Sequence, residues 1–118
     1  MYTFYEYPKC STCRKAKAEL DQLGLDVESI NIKENPPSAQ FLKELLVGSD
    51  LELKKFFNTS GQSYRSLGLK DKLPTLSFDE AVELLASDGM LIKRPVLVKD
   101  NQVLQLGHRK SYAELLEK

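Results

Sequence analysis

The N-terminal part of the chain alternates strand and helix patterns, and this constrains the fold more than any other feature. Residues 2–6 are a short apolar run typical of a buried strand, and Pro8 ends it. Residues 11–23 repeat apolar side chains at helical spacing, and Gly24 is suited to end that helix. Residues 25–32 again predict a strand. A helix-length connection between two strands predicts a parallel β-α-β unit with a right-handed crossover.

The middle of the chain, residues 35–89, carries helical signals throughout, and we expect it to form a helical insertion. Ser77 and Glu80 match a capping box, in which each side chain satisfies the backbone N–H of the other residue. Ser49 and Glu52 match the same pattern. The predicted helices are 39–47 after Ser38, a short helix that ends at Phe57, a short turn of helix at 65–69, and a helix from Ser77 to about Ala86.

The C-terminal part returns to strand patterns. Residues 95–99 are apolar, and residues 102–106 alternate polar and apolar side chains. Asp100–Asn101 between them is a turn signal, so an antiparallel hairpin is predicted. Ser111 begins a last helix, which we expect to end near Glu117. The order of β-α-β, helical block and β-β-α predicts an α/β fold with a mixed sheet.

Length and charge limit the class of protein. The 118 residues suit a single domain over 1–118, with 1–34 and 90–118 as the core around the insertion at 35–89. Seventeen Lys and Arg residues balance seventeen Asp and Glu residues, so charge gives no reason to expect nucleic acid or an anionic membrane as a partner. The N-terminus does not match a signal peptide, and no apolar run approaches the roughly 18 residues that span a bilayer, so we expect a cytoplasmic protein.

The chain has two cysteines, Cys10 and Cys13, and their spacing indicates chemistry. In a reducing compartment such a pair is more often redox-active or metal-binding than structural. Cys10 follows the first strand and precedes the helix, where unpaired N–H groups and the positive end of the helix dipole favour a thiolate. Lys9, Arg14 and Lys15 add positive charge nearby.

The same helix start is suited to an anionic substrate. The backbone N–H groups of Ser11, Thr12 and Cys13 would surround an oxyanion, and Arg14 would help to bind it. The residues alone leave two interpretations of Cys13 open. It is either a resolving thiol that forms a disulfide with Cys10, or a small buried residue on the apolar side of the helix.

Zinc is another possible use of the cysteine pair. A zinc site usually needs four ligands, and His108 is the one further candidate of a preferred kind. Because this set is incomplete, we expect no metal. We expect His108 to lie on the surface or in a loop.

Arg94 and Pro95 stand at the start of the predicted third strand. X-Pro bonds adopt the cis form far more readily than other peptide bonds, and a cis-proline here would place Arg94 beside the loop of Cys10. The planar fork of an arginine is suited to a tetrahedral oxyanion. Arg94 is therefore a candidate oxyanion ligand, and Arg65 in the insertion is a second one.

The chain resembles the ArsC arsenate reductase family in the order and spacing of three segments, YPKCSTCRKAKAEL, SYRSLGL and LIKRPVLV. The likeness extends over nearly the whole chain. It implies a thioredoxin-like fold of the glutaredoxin type with a helical insertion. The family includes glutaredoxin-coupled arsenate reductases and Spx-type transcription regulators.

The resemblance also implies roles for individual residues. A cysteine in the place of Cys10 attacks arsenate, and arginines in the places of Arg65 and Arg94 bind the oxyanion. The proline in the place of Pro95 is the cis-proline of thioredoxin folds. The glutaredoxin-coupled reductases have no cysteine in the place of Cys13, which makes this chain more like the Spx branch at that position.

The expected function is that of an arsenate reductase-like thiol oxidoreductase that acts on a small oxyanion and holds no bound cofactor. Cys13 or glutathione would resolve the adduct on Cys10, and glutaredoxin, thioredoxin or another external dithiol would supply electrons. The alternative is an Spx-type redox switch, in which a Cys10–Cys13 disulfide changes the affinity for RNA polymerase.

Overall fold

The structure, a computed structural model, describes residues 2–49 and 51–116. The chain divides into two compact units, one made of Met1–Asn31 and Arg94–Lys118 and the other of Ile32–Lys93. The second unit is therefore longer at both ends than the predicted insertion at 35–89. The strands are β1 (Tyr2–Glu6), β2 (Val27–Asn31), β3 (Val96–Lys99) and β4 (Gln102–Leu106). The α-helices are α1 (Ser11–Leu23), α2 (Ala39–Val47), α3 (Gln62–Ser66), α4 (Leu69–Lys72), α5 (Phe78–Ser87) and α6 (Tyr112–Leu115), and the 3₁₀ helices are Leu53–Phe56, Leu73–Thr75 and Gly89–Leu91.

The first unit is built on a four-stranded sheet in the order β2-β1-β3-β4. β1 pairs with β2 in parallel, which the connection through α1 requires, while the β1–β3 and β3–β4 pairs are antiparallel. At the hairpin, Asp100 and Asn101 have φ angles of 52° and 63°, the left-handed conformations that a two-residue turn of this kind needs. The predicted strands and the mixed α/β sheet are confirmed.

The core of the first unit joins α1 and α6 to the sheet. Ala16 and Leu20 of α1 pack with Phe4 of β1, Leu97 of β3 and Tyr112 of α6, and each of the five is at most 2% exposed. Burying one large apolar side chain contributes roughly 1.5–3 kcal/mol to stability. The apolar side of α1 is therefore fixed against the sheet, and this determines where the N-terminus of α1 lies.

The two helices of the first unit have the predicted boundary residues. α1 begins at Ser11 and ends before Gly24, whose φ of 68° is the left-handed conformation common at helix ends. α6 follows Ser111, whose Oγ accepts the backbone N–H of Glu114 at 3.3 Å. The helix is described as far as Leu115, and the predicted end near Glu117 lies outside the described residues.

The second unit is helical, and its two longest helices, α2 and α5, pack against each other. Ser38 Oγ accepts the N–H of Phe41 at 3.1 Å where α2 begins. Ser77 and Glu80 form the complete predicted capping box where α5 begins, with distances of 3.1 and 2.8 Å. Within residues 2–49 and 51–116, no helix is long and apolar enough to cross a membrane.

One prediction in the second unit is wrong. Ser49 and Glu52 form no capping box, because Ser49 Oγ accepts the N–H of Leu51 at 3.3 Å and Glu52 precedes a 3₁₀ helix without a side-chain cap. The short turn of helix predicted at 65–69 is found as two short helices with different bounds, α3 and α4. Gly68 separates them, because its φ of 63° interrupts the helical path.

Candidate active site

Cys10 is the N-cap residue of α1, in an extended conformation with φ −87° and ψ 120°. Its Sγ accepts the backbone N–H of Cys13 at 3.4 Å. Its own N–H donates to the Tyr7 carbonyl at 2.9 Å, and its carbonyl accepts the N–H of Arg14 at 3.1 Å. The sulfur therefore stands where a serine or aspartate oxygen caps an ordinary helix, next to the positive end of the helix dipole.

The surroundings of Cys10 favour its charged form. The side chain is partly buried, and burial by itself would raise its pKa. Hydrogen bonds from the backbone and thiol of Cys13, the positive charge of Arg94 and the N–H of Thr12 outweigh that effect, so the pKa of Cys10 lies below its usual value. Because the thiolate is the nucleophilic form of cysteine, the lowered pKa favours Cys10 over Cys13 as a nucleophile.

Cys13 is chemically different from Cys10, although both are free thiols. Its side chain is fully buried, and burial is the main cause that raises its pKa. The Tyr7 backbone has the largest opposing effect, while the hydrogen bond to Cys10 and the negative charge of Cys10 raise the pKa further and Arg94 opposes them. Cys13 is therefore the thiol that keeps its proton. Among the described residues, no group of three or more His, Cys, Asp or Glu side chains could hold a metal ion.

Arg94 supplies the positive charge of the site. Its guanidinium carbon lies 5.6 Å from the centre of the Tyr7 ring, a cation–π distance, so the side chain is held beside the loop that precedes Cys10. The Arg94–Pro95 peptide bond is cis. The carbonyl of Pro95 accepts the N–H of Gly107 at 2.8 Å, which ties this segment to the residue after β4. The structure thus brings Arg94 to the Cys10 loop.

The other predicted site residues have different surroundings. Ser11, Thr12 and Arg14 form the exposed first turn of α1. The Arg14 guanidinium donates to the carbonyl of Pro8 at 3.2 Å, which links the helix to the loop before it. Arg65 belongs to the second unit, where its guanidinium donates to the carbonyl of Ser60 at 3.1 Å. Their roles in oxyanion binding stay predictions.

A largely buried polar network beside α1 is not indicated by any sequence pattern. Glu19 Oε1 accepts the backbone N–H of Tyr112 at 2.8 Å, and Oε2 lies 3.0 Å from His108 Nε2. The second distance is that of an ion pair, although the imidazole N–H is not aimed well enough for a regular hydrogen bond. His108 lies in a loop, one of the two positions expected for it, but its side chain is only 9% exposed and its ring packs edge-on against Tyr112.

Similarity to known proteins places the chain in a family. Residues 5–114 match the ArsC family. The chain belongs to the ArsC family. Both the predicted family and the thioredoxin-like fold with its mixed sheet are thereby confirmed.

Relatives of this ArsC-family chain differ in the functions given to them. A possible arsenate reductase from Streptococcus mutans UA159 is 67% identical, with a TM-score of 0.94 over 98% of this chain and 97% of its own. An arsenate reductase from Vibrio cholerae is 29% identical, with a TM-score of 0.81 over 98% of this chain and 94% of its own. The uncharacterized protein YusI of Bacillus subtilis is 55% identical over 95% of this chain and 94% of its own length. The global transcriptional regulator Spx of Lactiplantibacillus plantarum is 28% identical over 92% of this chain and 80% of its own length.

Proposed function

We propose that this ArsC-family protein is a cytoplasmic arsenate reductase-like thiol oxidoreductase, with Cys10 as nucleophile and a small oxyanion such as arsenate as substrate. The observation that carries the proposal is the Cys10 thiol at the start of α1, with a lowered pKa and Arg94 nearby. The similarity to the possible arsenate reductase of Streptococcus mutans supports the same reaction.

The proposed reaction has two steps. In the first, the Cys10 thiolate attacks the arsenic of arsenate, an As–O bond breaks, and the oxygen takes up protons and leaves as water. Arg94 and the backbone N–H groups of Ser11 and Thr12 hold the negative charge of the oxyanion. In the second, another thiolate attacks the sulfur of Cys10, and the electron pair of the S–As bond stays on arsenic, which leaves as arsenite. Two thiols are oxidised to a disulfide while arsenate gains two electrons.

The second thiol is either Cys13 or glutathione. When Cys10 carries the arsenic adduct, its negative charge is gone, and one cause of the raised pKa of Cys13 is removed. Attack by Cys13 gives a Cys10–Cys13 disulfide, which needs an external dithiol such as thioredoxin or glutaredoxin. Attack by glutathione gives a mixed disulfide on Cys10, which glutaredoxin reduces.

An arsenate reduction assay with separate glutathione–glutaredoxin and thioredoxin systems tests the proposal. We expect turnover with one of them and none in Cys10→Ser. Cys13→Ala is the matched variant, because it removes the other thiol without placing a hydroxyl in a buried position. If it keeps turnover with glutathione, glutathione is the resolving thiol. If it stays folded and its turnover falls far more than the rate at which iodoacetamide alkylates its Cys10, Cys13 is the resolving thiol. Activity that survives in Cys10→Ser, or no turnover of the folded wild type with either system, contradicts the proposal.

Arg94 is tested by a pair of substitutions. Hydrogen bonds to charged groups contribute about 1.5–3 kcal/mol, so we expect Arg94→Ala to lower kcat/KM for arsenate roughly 10- to 150-fold. Arg94→Lys keeps the charge and loses the planar fork, so its loss should be smaller. Arg65→Ala in the same assay tests the role predicted for Arg65. Unchanged kcat/KM in Arg94→Ala would remove Arg94 from the proposed oxyanion site.

A redox switch is the second candidate function. The observation in its favour is the buried Cys13 thiol next to Cys10, whose Sγ accepts the Cys13 N–H at 3.4 Å, together with the similarity to Spx. In this case oxidation joins the two sulfurs and changes the affinity for RNA polymerase. Purified RNA polymerase should then bind the reduced and oxidised proteins with different dissociation constants, and Cys13→Ala should abolish the difference. Equal binding by both redox forms excludes the switch.

A further inference from the structure

The second unit has a pocket that takes no part in the chemistry proposed at Cys10. Its volume is about 240 Å³. Its lining residues come from the 3₁₀ helix Leu53–Phe56, from α3 and α4, and from the 3₁₀ helix Leu73–Thr75. They are Leu53, Lys54, Tyr64, Lys70, Leu73 and Pro74. The lining therefore combines leucine, proline and tyrosine surfaces with two lysines and contains no acidic side chain.

The aromatic wall of the pocket is firmly held. Tyr64 is 5% exposed, and its ring packs edge-on against Phe57, with ring centres 6.2 Å apart. Phe57 in turn forms a β-bridge with Ile92, and the N–H of Lys93 donates to the carbonyl of Phe56 at 2.7 Å. Because these contacts lie within one compact unit, Tyr64 is in place before any ligand arrives.

Positive charge is concentrated around this pocket. The whole chain has a net charge of zero, but residues 53–74 contain five basic residues and one acidic residue, Asp71. Neither Lys54 nor Lys70 has an ion-pair partner in the part of the chain that the structure describes. Both side chains are exposed, so their ammonium groups are free to meet a ligand at the opening of an apolar pocket.

We propose that this pocket binds a small carboxylate that carries one apolar group, such as an aromatic ring on a short chain. The ring packs against Tyr64 and Leu73, and the carboxylate meets Lys54 and Lys70. The size of the pocket sets the size of the ligand, because sites for drug-sized molecules usually enclose about 300–1,000 Å³. The proposal does not rest on the function of Cys10.

Titration of ¹⁵N-labelled protein with 3-phenylpropionate tests the proposed site by NMR. We expect amide shifts centred on Tyr64, Lys70 and Leu73 and a dissociation constant on the order of 1 mM, which suits so small a ligand. Three probes separate the contributions. Acetate lacks the ring, 3-phenylpropan-1-ol lacks the charge, and 3-phenylpropylamine reverses it, so each should bind at least about fivefold more weakly than 3-phenylpropionate. Equal binding of the amine, or shifts centred elsewhere, overturns the proposal.

Two charge-matched variants complete the test. Lys54→Glu/Lys70→Glu reverses both lysines of the pocket, and we expect binding of 3-phenylpropionate to weaken at least tenfold. Lys55→Glu/Lys72→Glu makes the same change of net charge at two exposed neighbours that do not line the pocket, and binding should change less than twofold. Equal losses in the two variants would show general electrostatic attraction and would overturn the site. Thermal melting confirms that both variants are folded.

Discussion

The network of Glu19 can be perturbed by a single isosteric substitution, Glu19→Gln. The glutamate accepts the N–H of Tyr112 at 2.8 Å and pairs with His108 at 3.0 Å. Its side chain is 23% exposed and that of His108 is 9% exposed, so water screens the pair weakly. Glutamine keeps an oxygen for the N–H of Tyr112 but loses the charge.

The expected loss follows from these contacts. A hydrogen bond to a charged group contributes about 1.5–3 kcal/mol and a neutral one about 0.5–1.5, so the bond to Tyr112 weakens by about 1 kcal/mol. Loss of the partly buried pair with His108 adds a similar amount while the imidazole carries its proton, near the upper end of the range of about 0–1 kcal/mol for exposed pairs. We therefore expect Glu19→Gln to lower the free energy of unfolding by about 2 kcal/mol, which corresponds to a Tm lower by roughly 6–12 °C.

The pH dependence gives a second readout. Burial acts to raise the pKa of Glu19, but the hydrogen bond from Tyr112 and the interaction with His108 outweigh it and hold that pKa below its usual value. A lowered pKa in the folded state contributes stability above the unfolded-state pKa of about 4.3, and this is lost as the pH falls through the folded-state value. The difference between wild type and Glu19→Gln should therefore be present while Glu19 is ionised and shrink in acid, where a protonated glutamate resembles glutamine.

Urea unfolding monitored by circular dichroism measures both effects. Asp21→Asn is the matched control, because Asp21 is an exposed acid of the same helix and its loss should change stability by less than about 0.5 kcal/mol. Glu19→Gln and Asp21→Asn with equal stabilities, or a difference that persists unchanged in acid, would refute the reasoning.

Three further predictions concern single positions. Cys13→Ala should slow the alkylation of Cys10 by iodoacetamide near neutral pH, because the hydrogen bond from the Cys13 thiol is one cause of the lowered pKa of Cys10. Mass spectrometry measures the rate, and an unchanged rate would mean that the Cys13 thiol does not contribute to that lowered pKa. Gly89→Ala should lower the free energy of unfolding by about 3 kcal/mol or more, since an added Cβ would overlap the backbone carbonyl of Ile32. Urea unfolding measures this loss, and a stability equal to wild type would contradict the close contact between Gly89 and that carbonyl. Ser77→Ala should cost about 1 kcal/mol in the same assay through loss of the capping box, and a loss below about 0.3 kcal/mol would mean that water replaces the cap.

Most of the fold could be predicted from local sequence patterns. The bounds of α1 were predictable because its apolar spacing and Gly24 are adjacent in sequence, and the hairpin turn at Asp100–Asn101 was predictable for the same reason. The capping pattern of Ser49 and Glu52 failed because a serine oxygen can also accept an N–H two residues ahead, and the sequence does not say which bond forms.

The site was predictable in part. The position of Cys10 between a strand and a helix is local, and it determines both the N-cap geometry and the nearby N–H groups. Arg94 lies near Cys10 because β1 pairs with β3 in antiparallel, and the periodicity of the sequence does not reveal this pairing. The resemblance to a family was therefore needed to support Arg94 as a site residue. The contact of Glu19 with Tyr112 joins residues 93 positions apart, and no local pattern predicts such a contact.

The strand order also has a consequence for how the chain is made. β3 lies between β1 and β4, yet it is synthesised after the whole of the second unit. A ribbon of β1 and β2 alone is marginally stable at best, whereas Ile32–Lys93 is continuous and can form while later residues are still inside the ribosome. On a nascent chain Cys10 therefore emerges long before Arg94, and the positive charge that helps to lower the pKa of Cys10 arrives only after the whole second unit.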